Sequence, residues 1–200
     1  MPKNWKYIKK LLEKEFLCES LRGHVTYDLT DYRPAPWYQQ HFIMKCDDEV
    51  LLNVNQPQRQ WGADYPFHEP RYWETNYIAK AVSEKYENVQ HSISQDMLER
   101  LTASVVEETC KYIAHYEGFY GVQDIIENIG IYLHSDIQSS LKSDEPFLRV
   151  LAILDRRTGK RTLRKLAEEK YLFIPAWVKK FYRLRFEAEG IRYSRAYAEK

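Results

Sequence analysis

Val25-Thr26-Tyr27-Asp28-Leu29-Thr30 alternates apolar and polar side chains with period two, the pattern of a strand buried on one face only. Upstream, Trp5, Ile8, Leu11, Leu12 and Phe16 recur at helical spacing while Lys6, Lys9, Lys10 and Lys14 fall mostly on other faces, and Arg22-Gly23 closes that helix. Downstream, Pro34 and Pro36 stop the strand. A second strand around 39–45 and a third around 50–55 flank Cys46-Asp47-Asp48-Glu49, whose polar acids suit a hairpin turn. The reading is an N-terminal helix laid on a short antiparallel sheet.

Beyond the sheet the pattern changes. Residues 56–76 carry three prolines and an unusual load of rings, Trp61, Tyr65, Phe67, Tyr72 and Trp73, which is too aromatic for a loose linker. From Ser92, which forms a capping-box pattern with Gln95, apolar residues at helical spacing (Met97, Leu98, Leu101, Val105, Val106, Cys110, Ile113) predict a helix up to Gly118. Val122, Ile125, Ile126 and Ile129 mark another, and Ser135 with Gln138 suits the cap of a short one. A helix over 143–154 tolerates Pro146 in its first turn. Thr158-Gly159 reads as a stop, 162–170 as a further short helix, and Pro175 opens a last helix that ends at Gly190. The fold class is therefore α+β, a single domain over 1–200 with a helix-plus-sheet sublobe (1–76) and a helical sublobe (77–200) sharing one core.

Two hundred residues with 44% hydrophobic side chains are enough for such a core. Cys18, Cys46 and Cys110, odd in number and widely spaced, fit reduced thiols, and no apolar run reaches membrane-spanning length or the h-region of a signal peptide, so a cytoplasmic protein without membrane contact is expected. The six histidines are scattered without HExxH or a Cys/His pair at zinc spacing, and Asp47-Asp48-Glu49 has no second acidic cluster to complete a metal site. Neither GxxxxGK[ST] nor GxGxxG occurs. No metal, cofactor or catalytic residue is assigned, although an enzyme assembled from separated Cys, His and acidic residues stays open as an alternative.

The formal charge of +1 conceals a gradient, because from Lys142 onward 16 cations face only 8 acids. They are densest in Leu154-Asp155-Arg156-Arg157-Thr158-Gly159-Lys160-Arg161-Thr162-Leu163-Arg164-Lys165. The cations form two series four apart, Arg156, Lys160, Arg164 and Arg157, Arg161, Lys165, which on a helix would stack like charges on neighbouring turns. Either these six side chains contact phosphates, or the segment is a solvated corner in which Arg156 or Arg157 pairs with Asp155 or with carbonyls at the preceding helix end. Trp61, Tyr65, Tyr72 and Trp73 are candidates for a contact surface that stacks bases or docks a protein, against the alternative of a loop folded over the sheet. The tail Arg192-Tyr193-Ser194-Arg195-Ala196-Tyr197 reads as frayed.

SLKSDEPFLRVLAILDRRTGKRTLRKL followed by KKFYRLRFEAEG is similar to a family of small uncharacterised bacterial proteins with recurring LDRR-x-GKR and FYxLRxEAEG strings, and SLRGHVTYDLTDYR resembles the early strand region of that family. The resemblance implies an intracellular bacterial or phage-borne setting and carries no activity, cofactor or catalytic residue. The expectation is a non-enzymatic binding protein whose basic C-terminal face engages nucleic acid or an acidic protein surface, a description that phage-borne inhibitors of nucleoprotein machines would fit. A scaffold or oligomer subunit using the aromatic loop is the other alternative, and the oligomeric state is open.

Overall fold

Helix α1 (Trp5–Lys10) opens the chain and widens into one π-helical turn, Leu11–Phe16, in which the Leu17 amide reaches back to the Leu12 carbonyl at 2.9 Å. The computed structural model to which these elements belong describes residues 4–32, 39–55, 100, 104–105, 108, 111–112, 115–169 and 174–197. The sequence predicts one amphipathic helix closing at Arg22-Gly23, whereas the chain passes from the π-turn to an extended Leu17-Cys18 and a short 3-10 turn, Glu19–Leu21. The difference has a tertiary cause, since Leu17 is drawn into a bridge with Asp155 and its neighbour Cys18 donates to the Leu154 carbonyl at 3.0 Å.

A 3-10 turn, Glu19–Leu21, leads into β1 (Val25–Tyr32), β2 (Gln39–Cys46) and β3 (Glu49–Asn55), an antiparallel sheet in the order β1-β2-β3. The alternation is obeyed: Val25, Tyr27, Leu29, Phe42, Met44, Leu52 and Val54 share the buried face. Asp47 takes a positive φ of 51° in the tight turn between β2 and β3, which a short Asx side chain tolerates. The β2–β3 register shifts at Met44/Lys45, leaving Leu51 as the extra residue of a bulge, and its carbonyl accepts from Lys180 Nζ. On the opposite edge the Tyr27 amide donates to Glu13 Oε1 at 2.9 Å.

The second half is helical: α2 (Val122–His134), α3 (Ile137–Lys142), α4 (Pro146–Leu154), α5 (Lys160–Glu168) and α6 (Ala176–Ala188), then a 3-10 turn, Arg195–Tyr197. Asp136, rather than Ser135, caps α3 by accepting from the Gln138 and Ser139 amides, and Glu145 caps α4. The α+β class holds. Chain contacts form two compact units, residues 1–58 with 116–200, and residues 59–115. In the first unit Phe42 of the sheet meets Trp5 of α1 and Phe147 of α4 edge-on at centroid separations of 6.1 and 6.0 Å, so strands and C-terminal helices share one core. Among the described residues of the second unit, 100, 104–105, 108, 111–112 and 115 are helical. Trp61, Tyr65, Tyr72, Trp73 and the cap at Ser92 lie outside the described residues. No helix among the described residues is long and apolar enough to cross a membrane.

Candidate anion-binding site

The corner between α4 and α5 starts from Asp155, whose side chain is fully buried at the end of the apolar helix α4. A carboxylate there must be paired. Arg157 supplies its Nε and Nη2 at 3.0 and 2.8 Å and its backbone amide at 2.6 Å, while the Tyr132 hydroxyl from α2 donates to the same carboxylate. The guanidinium lies over the Phe16 ring, 4.6 Å from its centroid, and the Phe16 carbonyl accepts from the Arg156 amide at 2.7 Å. Burial, followed by the adjacent Asp155 charge, pushes the Tyr132 hydroxyl far above its ordinary value, so it remains a donor. The corner is thereby stapled to the N-terminal π-turn.

Thr158 is buried and its hydroxyl donates to the Ala152 carbonyl at 2.7 Å. With Thr158 so engaged, Gly159 becomes the N-cap of α5 without a capping side chain, and the helix begins at Lys160, two residues before the position predicted from sequence. That shift places Lys160 and Arg161 in the first turn, where the helix dipole disfavours cations. Leu163 and Ala167 are buried and Thr162 and Leu166 half-buried, so Lys160, Arg161, Arg164 and Lys165 occupy the outer face as two i,i+4 like-charge pairs.

The six candidate cations thus separate. Arg157 is held by Asp155 and Tyr132, which keep its charge inside the corner. Arg156 is exposed, with only its backbone amide fixed. Lys160 approaches Glu189 Oε2 at 3.4 Å. The side chains of Arg156, Arg161, Arg164 and Lys165 make no hydrogen bond or ion pair with another described residue.

Sequence reasoning missed the partner wall of this site. Helix α6 ends in a Schellman turn: the Gly190 amide donates to the Glu187 carbonyl at 3.0 Å, the Ile191 amide to the Phe186 carbonyl at 2.8 Å, and Gly190 has a φ of 65°. The following segment is not frayed as the sequence suggests. Ser194 donates its amide to the Ala167 carbonyl at 2.8 Å, and Tyr197 is fully buried, stacked on Tyr182 at 5.8 Å with its hydroxyl on the Leu166 carbonyl at 2.7 Å. The chain therefore folds back along α5, and Arg192 joins Lys160 and Arg164 around a groove of about 210 Å³, with Glu168 and Glu189 also on its walls. The one legible signal was Gly190 at the end of an apolar-periodic helix.

Glu189 links three elements. Its Oε1 accepts from Ser20 Oγ at 3.0 Å and lies 3.4 Å from Arg185 Nη1, while Oε2 faces Lys160. Burial opposes its charge, but the Ser20 hydroxyl, Arg185 and Lys160 outweigh burial and hold the carboxyl below its ordinary value. Arg185 is 3% exposed; its Nη2 donates to the Thr158 carbonyl at 3.3 Å, and burial lowers its proton affinity. The groove thus carries the cations Lys160, Arg164 and Arg192 together with the acids Glu168 and Glu189. Among the described residues, no three His, Cys, Asp or Glu side chains gather as a metal site.

Comparison with curated proteins found no match, and comparison with solved structures found none. Residues 4–186 do match a family whose name states no activity, and across that length the chain belongs to the SF0329 protein family.

Proposed function

We propose that this protein is a non-enzymatic binding protein whose C-terminal basic face engages nucleic-acid phosphates through the outer surface of α5. The observation that carries this reading is the electrostatic arrangement of α5. Its folding is supported by Leu163 and Ala167, while Lys160, Arg161, Arg164 and Lys165 stand outside in two like-charge pairs, with Lys160 and Arg161 in the first turn, where the helix dipole disfavours cations. Each pair costs roughly 0.2–0.5 kcal/mol and cations in the first turn roughly 0.3–1 kcal/mol, so the arrangement disfavours the free protein and favours one with a polyanion against it. Arg forks and Lys point charges are the groups that contact phosphate oxygens. A 9-residue helix with every outward cation exposed suits backbone contact rather than base reading.

Fluorescence anisotropy with labelled single- and double-stranded RNA and DNA tests the reading. Affinity should fall steeply with salt, and the R161A/R164A/K165A variant should lose binding about 10-fold or more while reducing the slope of log K against log salt by about 2–3. Absent or salt-insensitive binding to both nucleic acids refutes it, and retention of an acidic polypeptide instead would assign the same face to a protein partner.

A further inference from the structure

Resting on that reading of α5, we infer that the groove between α5 and the 189–192 turn is a subsite for a single phosphate group, with Lys160, Arg164 and Arg192 as its ligands. Three observations converge. First, Lys160 and Arg164 lie one turn apart on α5, and Arg192 reaches the same groove from a different element, so three cations from two segments meet at one place. The side chains of Arg164 and Arg192 form no ion pair or hydrogen bond with any described residue. The repulsion between Arg164 and Arg192 would be relieved by an anion held between them.

Second, the groove's acids do not cancel this charge. Glu189 is matched from the protein side by Arg185, whose nearly complete burial and 3.4 Å approach fix a positive charge behind it. Arg185 Nε and Nη1 are buried without a hydrogen-bond acceptor, an excess of donor capacity at the inner side of Glu189. Lys160 shares Glu189 with Arg185, so Lys160, Arg164, Arg192 and the buried Arg185 stand against two carboxylates, Glu168 and Glu189.

Third, the entry to α5 is uncrowded. Gly159 caps α5 without a side chain, and a Cβ built there would meet nothing within 4 Å. The Schellman turn at Gly190 and the Ser194 amide bond to the Ala167 carbonyl fix the backbone on either side of Arg192, which lines the opposite wall. The groove's volume of about 210 Å³ accommodates a phosphate group, whether one phosphodiester of a bound strand or one terminal phosphate.

The test is an NMR titration of the full chain with inorganic phosphate at constant ionic strength, with chloride as the balancing anion. The amides of Lys160, Arg161, Gly190 and Arg192 should shift saturably, R192A should weaken the phosphate affinity roughly 3- to 10-fold, and R192E should abolish the response. The K14A/K142A variant, which removes two exposed lysines outside the groove, should titrate like the parent protein. Shifts that grow linearly and equally around all exposed cations, or an R192E protein that titrates unchanged, overturn the subsite. Oligonucleotide titrations separate the two readings. Saturable phosphate binding without strand binding leaves the groove and removes the nucleic-acid function, whereas strand binding indifferent to R192E does the reverse. An oligonucleotide with and without a 5′-phosphate distinguishes a terminal from an internal phosphate.

Discussion

Asp155 Oδ2 accepts two hydrogen bonds from Arg157, from Nε at 3.0 Å and Nη2 at 2.8 Å, while Oδ1 accepts from the Arg157 amide at 2.6 Å, and this pairing removes one arginine from the basic face while fixing the corner from which that face projects. The pair is structural because its acid is buried and its other donor, Tyr132, comes from α2.

Asp155→Ala should therefore destabilise the fold by about 3 kcal/mol, because it leaves Tyr132 and Arg157 without their acceptor. In urea denaturation the D155A/R157A double variant should lose clearly less than the sum of the single losses, giving a coupling energy of about 1 kcal/mol or more. Strict additivity would mean that the pair does not hold the corner.

Arg161→Glu should act in the opposite direction on stability. An acid in the first turn of α5 complements the dipole and breaks a like-charge pair with Lys165, so unfolding free energy should rise by about 0.3–1 kcal/mol while nucleic-acid affinity falls. Thermal denaturation and anisotropy on the same sample measure both, and a loss of stability would show that Arg161 has an internal partner.

Two glycines should respond with opposite signs to alanine. Gly190→Ala places a side chain at a φ of 65° and should cost about 1 kcal/mol. Gly130→Ala, in the exposed middle of α2 where an added Cβ meets nothing within 4 Å, should gain about 0.5–1 kcal/mol. Chemical denaturation of the two variants decides it.

Stability should weaken in acid through Glu189. Its folded-state proton affinity is lowered from an ordinary value of 4.5, so its contribution is fully present above that value and is lost as pH falls through the folded pKa. Glu189→Gln should show a smaller loss of stability than the parent between about pH 5 and pH 3, measured by urea titration at each pH. Parallel curves would exclude the Ser20, Arg185 and Lys160 interactions as the cause.

What was legible in the sequence follows from how local each feature is. Val25, Tyr27 and Leu29 announce a one-faced strand because alternation is a property of the backbone itself, and Thr158-Gly159 marks the break between α4 and α5 for the same reason. Asp155 was a visible candidate partner for Arg156 or Arg157. Its choice of Arg157, and the contribution of Tyr132, depend on α2 crossing α4 and could not be read from spacing. The π-turn depends on the tie between Leu17 and Asp155, and the position of Arg192 depends on Ser194 finding the Ala167 carbonyl and on Tyr197 stacking against Tyr182. These are long-range contacts to which no local periodicity corresponds.

The two outer strands of the sheet have a further consequence. Glu13 occupies the outward Tyr27 amide of β1, and Lys180 occupies the Leu51 carbonyl at the bulge of β3. A strand from another molecule would have to displace a charged side chain at either margin and, at β3, match a broken register. The sheet is thereby guarded against templated strand addition at both margins, so a chain with 29 aromatic residues can be concentrated without its sheets pairing edge to edge.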